Sequence, residues 1–192
     1  GYRRDYWQDQ PTIVAVWAEK TTVQGVLDPV IYEYGLPFRV MKGYGSFTAV
    51  KEAAQASRRA AVQGKGFKAL YLGDWDPSGL HMSLVDLPKR FYGYGGEGEL
   101  QRIAITGQDH GCPSFSVHDK TGDTRYDWYL RTHGERCWEL DAINPNDLRA
   151  RVEQQIMACL DLPAWDRAIE VEQAEIGSMQ DFFFEWQRIK SA

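Results

Sequence analysis

The segment Leu72-Gly73-Asp74-Trp75-Asp76-Pro77-Ser78-Gly79 ends an apolar run with two carboxylates two residues apart and then turns. In an extended strand, residues at i and i+2 point to one face, so Asp74 and Asp76 are placed to share a divalent cation while Trp75 points away. A third carboxylate, Glu19, closes another apolar run, Thr12-Ile-Val-Ala-Val-Trp-Ala-Glu19. Oxygen-only ligands at strand ends suit Mg²⁺ or Mn²⁺, which keep part of their water and are completed by substrate phosphates. The chemistry such a site serves is phosphoryl transfer. Glu139 and Asp141 repeat the two-residue spacing and read either as ligands of a second ion or as a salt-bridged edge strand. The competing reading of Asp74 and Asp76 is a turn in which aspartates cap local backbone N–H groups.

Other spacings carry less. Asp74, Asp76 and Gly79 imitate the opening of a calcium-binding loop, but its twelfth position is Val85 and Pro77 lies inside it. Gly93 to Gly98 fits GxGxxG, yet it follows a helical pattern and precedes a strand, the reverse of a dinucleotide-binding turn. His81, His110, His118 and His133 have no HxH or HExxH spacing; His81, one turn past the aspartates, is the one placed to face the site. Cys112, Cys137 and Cys159 lack a CxxC spacing and support neither a disulfide framework nor a zinc knuckle.

The elements that must position these residues alternate. Thr12 to Glu19 reads as a strand and Val23 to Tyr34 as a helix stopped by Gly35-Leu-Pro37. Phe38 to Lys42 is a short strand, Ser46 to Gln63 an Ala-rich helix, and Phe67 to Asp76 the strand that delivers the aspartates. A helix from about Ser78 to Phe91, the Gly-rich loop and a strand from Leu100 to Thr106 follow. This order predicts an α/β fold with a mostly parallel sheet sandwiched by helices, and such sheets bind ligands at the carboxyl ends of their strands. Gly107 to His133 has no clean period and reads as loops over the sheet edge; Cys137 to Ala142 reads as a fifth strand. Asn144-Pro145 starts a helix, with Asn as cap and Pro in its first turn. The last segment spaces Trp165, Ile169, Glu172, Ile176, Met179, Phe183 and Trp186 by four and three, a long helical extension docked on the core or on a partner.

With 192 residues the chain suits one well-buried domain with a helical appendage. We divide it into a lead-in over 1–11, a core over 12–143 and C-terminal helices over 144–192. A hydrophobic fraction of 43% and a charged fraction of 26% are those of a globular protein. No apolar run approaches the roughly 20 residues of a membrane span, and no basic-then-apolar leader opens the chain, so the expected location is cytoplasmic, with no membrane partner. The net charge of −5 argues against a strong nonspecific grip on nucleic acid, though it leaves nucleic-acid chemistry open.

The ordered set of Ala18-Glu19-Lys20, Lys42-Gly43-Tyr44-Gly45, Gly73-Asp74-Trp75-Asp76-Pro77-Ser78-Gly79 and Arg102-Ile-Ala-Ile-Thr106 resembles a Toprim domain. It is most similar to the Toprim half of type IIB topoisomerase catalytic subunits and meiotic double-strand-break proteins, with Glu139-Leu-Asp-Ala142 resembling a late motif of solitary Toprim proteins. The resemblance spans Thr12 to Thr106. It implies a Rossmann-like sandwich and Mg²⁺-dependent cleavage of nucleic acid, DNA above all, with Glu19 as metal ligand or general acid/base and Asp74 and Asp76 as metal ligands. Lys20 and Arg102, by charge and position, are expected to contact phosphate. In the topoisomerases a tyrosine nucleophile lies in a winged-helix domain before Toprim, and here only 1–11 precede the first strand. The implied activities are therefore a hydrolytic nuclease or a topoisomerase-like cleavage that depends on a winged-helix region outside these residues. The alternative is a noncatalytic metal- or nucleic-acid-binding module of a larger protein. A double-strand cutter of this type would act as a homodimer.

Overall fold

The structure is a computed structural model and describes residues 2–41 and 45–190. The Lys42-Gly43-Tyr44 part of the second motif lies outside the described residues. The elements run β1 (Thr12–Ala18), α1 (Gln24–Tyr34), β2 (Phe38–Val40), α2 (Gly45–Val62), β3 (Gly66–Leu72), α3 (Pro77–His81), α4 (Leu87–Gly93), β4 (Glu99–Ala104), β5 (Phe115–Ser116), α5 (Tyr126–His133), β6 (Arg136–Cys137), α6 (Pro145–Met157) and α7 (Leu162–Lys190). The main sheet has the order β2-β1-β3-β4, and every pair in it is parallel.

Both faces of the central strands are covered, as apolar runs without polar alternation require. Val14, Val16 and Ala18 of β1 and Leu70 and Leu72 of β3 face one core, shared with Leu27 and Val30 of α1, Val152 and Ile156 of α6, and Trp165 of α7. The alternate residues Ala15, Trp17, Phe67, Ala69 and Tyr71 face a second core with Val50 and Ala54 of α2 and Leu87 and Phe91 of α4. Fully burying side chains of this size contributes roughly 1.5–3 kcal/mol each. Trp7 belongs to the first core, and its indole N–H donates to the Tyr34 carbonyl at 2.7 Å. Gln10 is tied to the backbone of Asp161 through both ends of its amide. The lead-in and the C-terminal helices thus share the first core with β1, β3 and α1.

Three expectations are corrected. The strand carrying the aspartates ends at Leu72, where its neighbour β1 also runs out and the ladder to β4 shifts register. Beyond it Gly73 still exchanges backbone hydrogen bonds with Ala104 and Ile105, and Trp75 forms an isolated antiparallel bridge with Trp138. Residues 137–142 are not a fifth strand: β6 pairs antiparallel with β5 in a separate two-stranded sheet, and Leu140–Ala142 is a 3₁₀ turn. The region read as loops holds α5, whose Tyr129 joins Leu80, Val117 and Cys137 in a small core of its own. The helix after the aspartates relaxes into a π-helical stretch over Met82–Asp86, just before Pro88. There Ser83 Oγ bonds back to the Gly79 carbonyl, and Pro88 supplies no N–H to the helix. Among the described residues no helix is long and apolar enough to cross a membrane.

Candidate functional site

The sheet order reverses between β1 and β3, because the chain leaves β1 for one side of the sheet and later returns to its other side. A crevice opens at the carboxyl ends of two strands at such a switch point. Glu19 follows β1 there and Asp74 follows β3, with the Glu19 amide donating to the Leu72 carbonyl at 2.9 Å. Glu19 Oε2 accepts the Asp74 amide at 3.0 Å. Two glycines make room for it: a Cβ on Gly73 or on Gly79 would lie 2.8 Å from that same oxygen, and on Gly79 also 2.4 Å from the Asp74 carbonyl oxygen.

Asp74 and Asp76 are buried, and their oxygens are occupied. Asp74 Oδ1 accepts the Leu140 amide at 2.8 Å, and Oδ2 pairs with Lys20 Nζ at 2.9 Å. Asp76 caps α3: its Oδ1 accepts from the Gly79 amide at 2.7 Å and Ser78 Oγ at 3.0 Å. The capping role weighed for these aspartates from sequence is therefore real for Asp76. Its Oδ2 pairs with Lys120 Nζ at 2.9 Å. Burial pushes the Asp76 pKa up, but the Gly79 amide and Lys120 together outweigh it and hold the carboxyl below its ordinary value. Glu19 goes the other way. Burial above all, then the charges of Asp74 and Asp76, raise its pKa to about 7, against the smaller opposing effects of the Asp74 amide and Arg102.

Arg102 does not reach outward. All five of its N–H donors are used inside the turn: Nε to the Ile105 carbonyl at 2.7 Å, Nη1 to Ser83 Oγ at 2.6 Å and to the Gly79 carbonyl, Nη2 to the Gly73 and Asp74 carbonyls. In place of the expected phosphate contact, it fixes the carbonyls of the acidic turn. Lys20 stands at the mouth, also 3.4 Å from Asp141 Oδ2. Glu139 precedes the 3₁₀ turn that contains Asp141, so the pair borders the site without the strand geometry expected of it. His81 packs edge-on against Trp128, with ring centroids 5.6 Å apart.

Two residues were missed in the sequence. Lys120 sits in a 3₁₀ turn within the aperiodic region, and no spacing links it to Asp76. Tyr71 read as one more strand residue, but its hydroxyl is buried without a hydrogen-bond partner among the described residues, and it lies 2.9 Å from where a Gly73 Cβ would stand. The donor chemistry suits a hard divalent cation: carboxylate oxygens, a protonatable Glu19 between two glycines and an orphan hydroxyl beside it. As arranged, lysines hold both aspartates, and among the described residues no three His, Cys, Asp or Glu side chains converge to hold an ion.

The architecture defines a class, a Rossmann-like α/β fold whose parallel sheet is flanked by helices and extended by a long C-terminal helix. No protein-family model matches the chain, and comparisons with curated proteins and with solved structures find no significant match either.

Proposed function

We propose that the chain carries a Toprim-type site for Mg²⁺-dependent cleavage of phosphodiester bonds in DNA. One observation supports this reading: Glu19 and the turn that carries Asp74 and Asp76 lie just past the ends of β1 and β3 at the switch point of a parallel sheet, in the chain order that the Toprim resemblance implies, with the Asp74 amide donating to Glu19 Oε2. Asp74 and Asp76 would hold Mg²⁺ or Mn²⁺, with Glu139 and Asp141 at the rim. The cation would polarise a phosphoryl oxygen and stabilise the departing one. Glu19 serves either as a further ligand or, left free of the cation, as the general acid/base, a role for which a pKa lifted to about 7 suits it near neutral pH. Lys20 and Lys120, which balance the aspartates, carry the positive charge available to phosphate oxygens when the carboxylates turn to a cation. Arg102 keeps the turn rigid.

A plasmid assay tests this. Supercoiled DNA incubated with the protein and Mg²⁺ or Mn²⁺ is expected to be nicked, and Asp74→Asn is expected to abolish nicking while leaving the fold intact. No nicking by the unaltered chain, or nicking unchanged in Asp74→Asn, refutes the proposal. The second reading, a noncatalytic metal- or DNA-binding module, draws on the two lysine–aspartate pairs that already neutralise the site. Calorimetry showing saturable binding of Mg²⁺ and of DNA with no turnover would select it.

A further inference from the structure

The helix α7 is 29 residues long, yet its buried residues, Ala164, Trp165, Ala168 and Glu172, all lie in its N-terminal part, none beyond 172. Residues 173–190 extend about 27 Å beyond them at the helical rise. On this protruding segment Met179, Phe182, Phe183, Trp186 and Ile189 are 45–72% exposed, and helical periodicity puts all five on one side. Phe184, also exposed, falls on the opposite side.

We infer that this face pairs antiparallel with the same segment of a second copy of this chain. Area supports the choice of partner. At these exposures the five side chains offer roughly 500–700 Å² per copy, hence roughly 1,000–1,400 Å² in a symmetric pair, about what a specific interface requires. The four-and-three spacing of Ile176, Met179, Phe183 and Trp186 is that of a helix packing on a like helix, and a two-fold axis makes one face complementary to itself. Charge and shape set the direction. Lys190 lies at the tip of the segment toward the apolar side, so parallel packing sets it against its own copy, whereas antiparallel packing brings it to the base of the partner segment, where Glu175 is held by Arg4 and Tyr2 of its own chain. Antiparallel packing also places the two globular bodies at opposite ends of the helix pair. The interface stands apart from the acidic site and does not depend on what that site does.

Sedimentation equilibrium of the 192-residue chain tests it. Between about 1 and 100 µM, the weak end of the span that specific interfaces cover, the mass should rise from 22.0 kDa toward twice that value. The double variant Phe183→Glu, Trp186→Glu should raise the dissociation constant at least about 100-fold, as loss of two central aromatic anchors does. Phe184→Glu, on the far side, should leave it within about 3-fold, by the rule that peripheral contacts carry little binding energy. Far-UV circular dichroism should show the helix intact in both. A monomer throughout overturns the proposal, including one that instead floats with lipid vesicles. A dimer that survives the double variant, or one that Phe184→Glu dissolves equally, overturns it as well.

Discussion

Replacing Arg102 by methionine keeps most of the aliphatic volume and removes the guanidinium that ties four carbonyls and Ser83 into one turn. Hydrogen bonds from a charged donor contribute about 1.5–3 kcal/mol each, but five around one group are not additive, and water can reach some of the released carbonyls. Breaking one partner out of a buried charged network typically costs about 3–5 kcal/mol, and that is the loss expected here. It is a large part of a stability on the order of 5–15 kcal/mol. Urea titration reads it directly: with a slope of about 2–3 kcal/mol/M, the midpoint should fall by about 1–2 M at unchanged slope. Arg102→Lys, which keeps the charge but not the fork, should recover less than half of the loss. A loss below about 1 kcal/mol in Arg102→Met would refute the claim that this side chain holds the acidic turn together.

Glu19 makes stability depend on pH with a defined sign. Its pKa is about 7 in the folded protein against an ordinary 4.5, so the folded state holds the proton more tightly, and folding is penalised once pH rises through that interval. The penalty is absent below about 4.5 and complete above about 7, with an upper bound of about 3 kcal/mol. Glu19→Gln should therefore stabilise the protein at pH 8 and be nearly neutral at pH 4, as thermal melts at the two pH values would show; equal effects at both would contradict the assignment. Gly79→Ala drives a Cβ to 2.4 Å from the Asp74 carbonyl oxygen and should cost about 1–3 kcal/mol in the same melts. Ser78→Ala, one residue away, loses a single hydrogen bond to Asp76 and should cost about 1 kcal/mol.

Most of the sheet and its covering helices were legible in the sequence, because they rest on local periodicity. The run at β1, the start of the run at β3 and the Asn144-Pro145 helix start show in the sequence as they stand in the fold. What failed depended on partners distant in sequence. Cys137 to Ala142 has the composition of a strand, but Cys137 pairs with Phe115 and Trp138 with Trp75, and Leu140–Ala142 turns instead of extending. The acidic residues could be named because carboxylates at strand ends are an unusual pattern. The occupants of their oxygens, Lys120 and the Leu140 amide, lie 44 and 66 residues from the aspartates they bind and leave no spacing to read. The phosphate contact expected of Arg102 rests on its charge and position, whereas its five bonds depend on where Gly73 and Gly79 turn.

Asp74 accepts the Leu140 amide, Asp76 holds Lys120, and Trp75 between them bridges Trp138, so three consecutive residues fasten the small β5–β6 and α5 module to the main sheet. The acidic turn is in this sense a latch, and its bolts are the same oxygens a cation would claim. Trp138 and Leu140 are buried in the first core, whereas Lys120 ends the turn whose Val117 lies in the small one, so the acidic turn stitches two cores together and a change at either aspartate is felt in both.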